Sequence, residues 1–189
     1  MNHRYWSWGV ALALFLCLGC VESDKPLSDP ATSKIDPDLI GTWLGDQEDT
    51  YVVSAAGDGF PAGMHRIDFT DEESTDIAYF FVTKIGDQKF INLPTLEGKP
   101  AKPKWSDNKI VYYSFAAYEV GSDSMTYKPL ERKTFNAGVK RGNLSIRKIQ
   151  HDDHSYTLLT NTTEEIRAFI KLHAKTIVSD SGVKLRLKK

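Results

Sequence analysis

Cysteine is nearly missing from this chain of 189 residues: Cys17 and Cys20 are the only two, and both fall within the first twenty positions. The body of the protein therefore has no disulfide framework, no thiolate metal site and no cysteine nucleophile. A surplus of either charge is missing as well. Lys plus Arg number 24 against 25 Asp plus Glu, so no nucleic-acid partner is implied. Long apolar runs are also missing, since the one continuous stretch, residues 10–16, falls well short of the roughly 20 residues that a membrane-spanning helix needs. No Gly-x-Ser-x-Gly, His-Glu-x-x-His or phosphate-cradling glycine loop occurs. The adjacent acids Glu72 and Glu73, and Glu164 and Glu165, propose no acid/base couple. These absences leave no enzyme class, no cofactor and no metal to name.

What is present starts at the N-terminus. Arg4, the apolar run Val10 to Leu16, small Gly19 and then polar Glu22 to Lys25 have the layout of a secretory signal that is cleaved. A signal that ends on Gly19-Cys20, with Leu18 before them and Cys17 where Leu is usual, resembles the lipobox of bacterial lipoproteins. That resemblance implies cleavage after residue 19, acylation of Cys20 and a lipid anchor in the membrane. With Val21 rather than Asp next, it further implies the outer membrane of the cell envelope, on the periplasmic side. One acyl chain binds only marginally, at about 0.8 kcal/mol per buried CH₂, so the several chains of a lipoprotein amino terminus are needed to anchor. Residues 21–35, with Pro26 and Pro30 among Ser, Thr, Asp and Lys, read as a flexible tether. Extended at about 3.3 Å per residue, they span as much as about 50 Å. Residues 36–189 are then one domain.

That domain alternates short β-favouring runs with turn signals. Gly41 to Leu44, Thr50 to Val53, Met64 to Phe69, Thr75 to Ile85, Lys89 to Leu93, Ile110 to Phe115 and Met125 to Tyr127 read as strands, with tight turns at Gly86-Asp87 and Gly121-Ser122-Asp123. Residues 94–108, with three prolines around Trp105, read as a long loop. Residues 130–142 read as a short polar helix. Thr162 and Glu165 form a capping box ahead of Ile166, Phe169, Ile170 and His173, which share one helix face. Strands over 144–149 and 156–160 lie between the helices, and the chain ends on the alternation Val183 to Leu187. The fold class is mainly β with two helices (α+β): an antiparallel meander that closes into a barrel or half-barrel, with the C-terminal amphipathic helix packed on it.

Gly41-Thr42-Trp43 on the first strand resembles the Gly-x-Trp of lipocalins and the wider calycins. In that pattern the Trp plugs the closed end of the barrel beneath a basic residue from the last strand. The resemblance implies structural roles for Gly41, Trp43 and Arg186, the last as the cover over Trp43; the alternative is that Trp43 is an ordinary core aromatic. Across most of the chain, the order of elements looks like small bacterial envelope lipoproteins with a calycin-like body.

The only dense group of potential ligands is His151-Asp152-Asp153-His154. It falls at a polar turn between strands and reads as a hairpin tip that binds no metal. His65 and His173 read as packed histidines. For the barrel, the inward sets proposed are Tyr51 and Val53; Ile67 and Phe69; Ile77, Tyr79 and Phe81; and Val111, Tyr113 and Phe115. Any ligand would meet Tyr113, Phe115, Tyr127 and Trp105, the last at a shallow mouth. The leading expectation is a membrane-anchored, non-enzymatic module for protein interaction or envelope maintenance. The alternative is a carrier or sensor of a small apolar ligand, and what separates the two is whether the interior is full.

Overall fold

The structure, a computed structural model, describes residues 21–45, 49–70, 74–97, 104–151 and 154–188, with backbone alone for 151 and 154–156. Its strands are β1 (Val21–Ser23), β2 (Gly41–Leu44), β3 (Thr50–Ala55), β4 (Met64–Thr70), β5 (Thr75–Ile85), β6 (Gln88–Leu96), β7 (Ile110–Val120), β8 (Ser124–Pro129), β9 (Ile146–His151), β10 (His154–Leu159) and β11 (Val183–Leu187). Two helices, α1 (Arg132–Lys140) and α2 (Thr163–Leu172), interrupt them. Eight strands close into an antiparallel barrel in the order β6-β5-β4-β3-β2-β11-β8-β7, with β7 paired back on β6. Closure removes the exposed edges that an open meander would leave. The first half of β7, beyond the reach of β8, pairs instead with β1; β1 runs parallel to β10, and β10 pairs with β9 as a hairpin.

The sheet carries two cores. Inside the barrel Trp43, Tyr51, Val53, Phe69, Phe80, Tyr118, Met125, Tyr127 and Leu185 pack together. Outside it Leu27, Met64, Phe81, Phe90, Tyr113 and Phe115 meet Phe135 of α1 and Ile166, Phe169 and Ile170 of α2. The capping box of α2 is formed as the sequence reads: Thr162 Oγ1 accepts from the Glu165 N–H at 3.2 Å, and Glu165 accepts from the Thr162 N–H at 2.9 Å. The helices meet closely because Gly138 leaves room; a Cβ there would come within 2.6 Å of the Phe169 ring.

This second core overturns two of the inward sets. Tyr51, Val53, Ile67 and Phe69 do face the interior. On β5, however, Phe80 and Val82 point in while Tyr79 and Phe81 point out, and Ile77 is 47% exposed. On β7, Ala116 and Tyr118 point in while Tyr113 and Phe115 face the outer core. Both faces of these strands are covered, so both carry apolar residues and alternation no longer marks the inside. Pro94, read as the start of the loop, is instead within β6, opposite Tyr113. The pairing of β5 with β6 ends at Asn92, so Pro94 stands where its missing N–H breaks no ladder bond to β5.

The tether reading does not hold either. Residues 21–40 run as a strap over the barrel, with Val21, Ser23, Leu27 and Leu39 buried. Buried Asn92 accepts from the Leu27 N–H at 2.7 Å and donates to Thr83 Oγ1 at 2.9 Å. Arg167 of α2 donates to the Leu27 carbonyl at 2.8 Å, and Ser33 Oγ donates to the Val82 carbonyl at 2.9 Å. The strap lies so close to Gly63 that any Cβ there would run into the Ser33 backbone. Its polar composition reflects one exposed side and many backbone partners, not freedom from the fold.

Candidate functional site

The barrel interior is the candidate site, and its floor is built by the end of the strap. Asp36 caps a 3-10 turn, Pro37–Leu39, by accepting from the Asp38 N–H at 3.2 Å. The turn drops Leu39, fully buried, into one end of the barrel, where the Leu39 carbonyl accepts from Trp43 Nε1 at 2.9 Å. Trp43 is therefore buried at a closed end, but Arg186 does not cover it. Arg186 is exposed, and its register opposite Leu44 on β2 puts it on the other face of the sheet from Trp43, whose partner is Leu187. Leu39 and Leu187 take the place beside Trp43 and Gly41 that a cation was expected to fill.

Polar groups at this floor converge on Asp36, which is only 8% exposed. Its carboxylate accepts from Lys89 Nζ and from Tyr118 Oη, each at 2.7 Å. Burial alone would raise its pKa; the bonds from Lys89, Tyr118 and the Asp38 N–H, with the Lys89 charge, outweigh that and hold the carboxyl below the usual range. Burial and the bond to Asp36 push the Tyr118 phenol well up, so it stays a donor. The Asp36 N–H donates to Nε2 of fully buried His65 at 3.1 Å, which places the ring proton on Nδ1. That ring stacks on Phe80 with centroids 4.7 Å apart. Burial holds the His65 pKa below its ordinary value, against the opposing pull of Asp36 and of the Gly63 and Phe80 backbone. Asp36, Lys89 and Tyr118 are spent on one another in holding the floor shut, while Nδ1 of His65 is buried without a hydrogen-bond partner among the described residues. His65 was expected to be a packed histidine and it is one; Asp36, Lys89 and Tyr118 carried no sign in the sequence of belonging together.

Above Leu39 a cavity of about 80 Å³ remains, bordered by Tyr51, Ile67, Phe80, Leu93, Met125 and Tyr127 among others. It is several times the roughly 15 Å³ one water requires, and smaller than the roughly 150 Å³ that accommodates benzene in an apolar core. Ligand pockets for drug-sized molecules begin at about 300 Å³. Of the four residues proposed to meet a ligand, Tyr127 borders this cavity, and so does Phe115, although its place between inward Ser114 and Ala116 turns its ring to the outer core. Tyr113 and Trp105 do not border it. Tyr113 lies edge-on to Phe81 at 6.3 Å, and Trp105 packs against Phe60 at 6.1 Å, both on the outside of the barrel.

Cys20, Asp152 and Asp153 lie outside the described residues, and of the proposed non-binding pair the backbone register alone is known, with His151 opposite His154 across the β9–β10 turn. Among the described residues, no three His, Cys, Asp or Glu side chains are grouped to hold a metal ion. His173 caps the end of α2 and meets the Phe169 ring edge-on at 4.3 Å. No described helix is long and apolar enough to cross a membrane. Compared with known proteins, the chain matches no family model, no curated protein and no solved structure.

Proposed function

We propose that this protein is a bacterial envelope lipoprotein, anchored through acylated Cys20 in the outer membrane facing the periplasm, whose lipocalin-like barrel is a non-enzymatic module for protein interaction or envelope maintenance. The observation that carries the choice of module over carrier is the size of the interior: about 80 Å³ leaves no room for an acyl chain. The floor supports the same reading, because Leu39, Asp36, Lys89 and Tyr118 seal one end with matched hydrogen bonds. The carrier reading keeps one supporting observation, the largely apolar lining of the cavity, where Ser114, Tyr51 and Tyr127 are the only described residues that carry a polar side-chain group. It would need Met125 and its neighbours to repack around a ligand.

Anchoring is tested by mass spectrometry of the membrane fraction. The N-terminal peptide should begin at an acylated Cys20, and Cys20→Ala should release the protein to the soluble periplasmic fraction. A soluble mature chain with an unmodified thiol would contradict the proposal.

A further inference from the structure

Anchoring at Cys20 has a geometric consequence, because the residue after it is already part of the sheet. Val21 is buried and sits opposite Phe115, with β1 held between β7 and β10. A chain residue spans about 3.5 Å, so acyl groups on Cys20 emerge against the folded body rather than tens of ångströms from it. The neighbouring surface is helical. α1 and α2 touch through Phe135 and Phe169, 5.4 Å apart, and both bury their apolar residues in the same outer core, so their remaining faces look away from the barrel side by side. Those faces carry Arg132, Lys133 and Lys140 on α1, and Lys171 at the end of α2 with Lys175 just beyond. Glu131 lies 3.8 Å from Lys133, and the exposed acids Glu164 and Glu165 stand in the first turn of α2, at the opposite end of that helix from Lys171. Arg132 is close enough to β1 to act on the carboxyl of Glu22. Between Lys171 and Lys175 stands Leu172, 75% exposed, the most exposed large apolar side chain among the described residues.

We infer that this helical face lies directly on an anionic phospholipid surface, with Leu172 entering the headgroup layer and the surrounding cations meeting lipid phosphates. An exposed apolar side chain flanked by lysines, on a face that carries further cations, is the pattern of a protein surface that rests in the bilayer interface. The inference rests on the lipoprotein reading for its anchor, but the surface itself is a property of the folded domain.

Two arms test it and separate the two ideas. With no other thiol beyond Cys20 in the mature chain, Leu172→Cys and Arg186→Cys can each be labelled in native membranes with a bulky, membrane-impermeant maleimide. Labelling at Leu172→Cys should be at least tenfold slower in membranes than in detergent, while Arg186→Cys on β11 should change little. Protection at Arg186→Cys instead would put the exposed cations at the C-terminal strand, Lys184, Arg186 and Lys188, on the bilayer and overturn the inference. In the second arm, unacylated Cys20→Ser protein is sedimented with vesicles of phosphatidylglycerol and phosphatidylcholine at low salt. It should bind at least fivefold more than to phosphatidylcholine alone, and Lys140→Glu with Lys171→Glu should remove that difference. Equal binding to both lipids would overturn the surface while leaving acylation standing; preferential binding by a protein never acylated in cells would remove the anchor alone.

Discussion

Three strands send one residue each to Asp36: His65 from β4, Lys89 from β6 and Tyr118 from β7. The cluster is a closing device, and it makes stability depend on acid. His65 has a folded pKa below its ordinary value of 6.5, so the unfolded chain takes up a proton that the folded ring refuses. Its contribution is whole above about pH 6.5 and declines as pH falls below that, by up to about 1.4 kcal/mol per unit. Asp36, depressed below 3.8, holds its contribution above that value and loses it as pH falls through the folded value. Urea unfolding at pH 8 and pH 5 should therefore show wild type losing stability on acidification. His65→Gln should be less stable at pH 8 by about 1–3 kcal/mol yet flatter with pH; an unchanged slope in the variant would rule out this role. Little of this could be read from sequence. Asp36 lies 29, 53 and 82 positions from its three partners, and nothing in local pattern joins residues across such distances, whereas the Thr162 capping box was legible because its parts are three residues apart.

At the scale of elements, composition and context part company in the strap. Residues 21–35 look like a linker because their side chains are polar or small, but Leu27 is fully buried and its backbone is held by Asn92 and Arg167. Leu27→Ala should cost about 2–5 kcal/mol, as a core truncation does. Lys34→Ala, exposed in the same segment, should fall within about 0.5 kcal/mol of wild type. A true tether would leave Leu27→Ala as near to wild type as Lys34→Ala, so thermal or urea unfolding of the two variants side by side distinguishes the cases. The same context explains which strands could be oriented in advance. Among the described residues, β3 and, beyond Met64, β4 have no outer core against them, so Val52, Asp68 and Arg66 alternate with the inward Val53, Phe69 and Ile67 and the interior is legible. β5 and β7 are covered on both faces by strap and helices, and their parity could be set only by knowing what lies on the far side. Where α1 and α2 meet, Gly138→Ala should destabilise by about 1–3 kcal/mol, because the added methyl would have to displace the Phe169 ring and crowd Leu144.

On the scale of the whole molecule, eight strands give a barrel whose interior is just wide enough either to be filled by side chains or to hold one small ligand. Here large residues take the first course: Trp43, Tyr51, Phe69, Phe80, Tyr118 and Tyr127 occupy the inside, and Leu39 stops one end. The account stands on that interior being too full to carry a lipid. Native mass spectrometry of the mature protein, extracted in mild detergent from the membranes of its own host, tests this most directly. The account predicts the mass of the polypeptide with its covalent acyl groups and nothing else. A stoichiometric non-covalent lipid, displaced competitively by a fluorescent fatty acid and lost when Ala116→Leu fills the cavity, would contradict it.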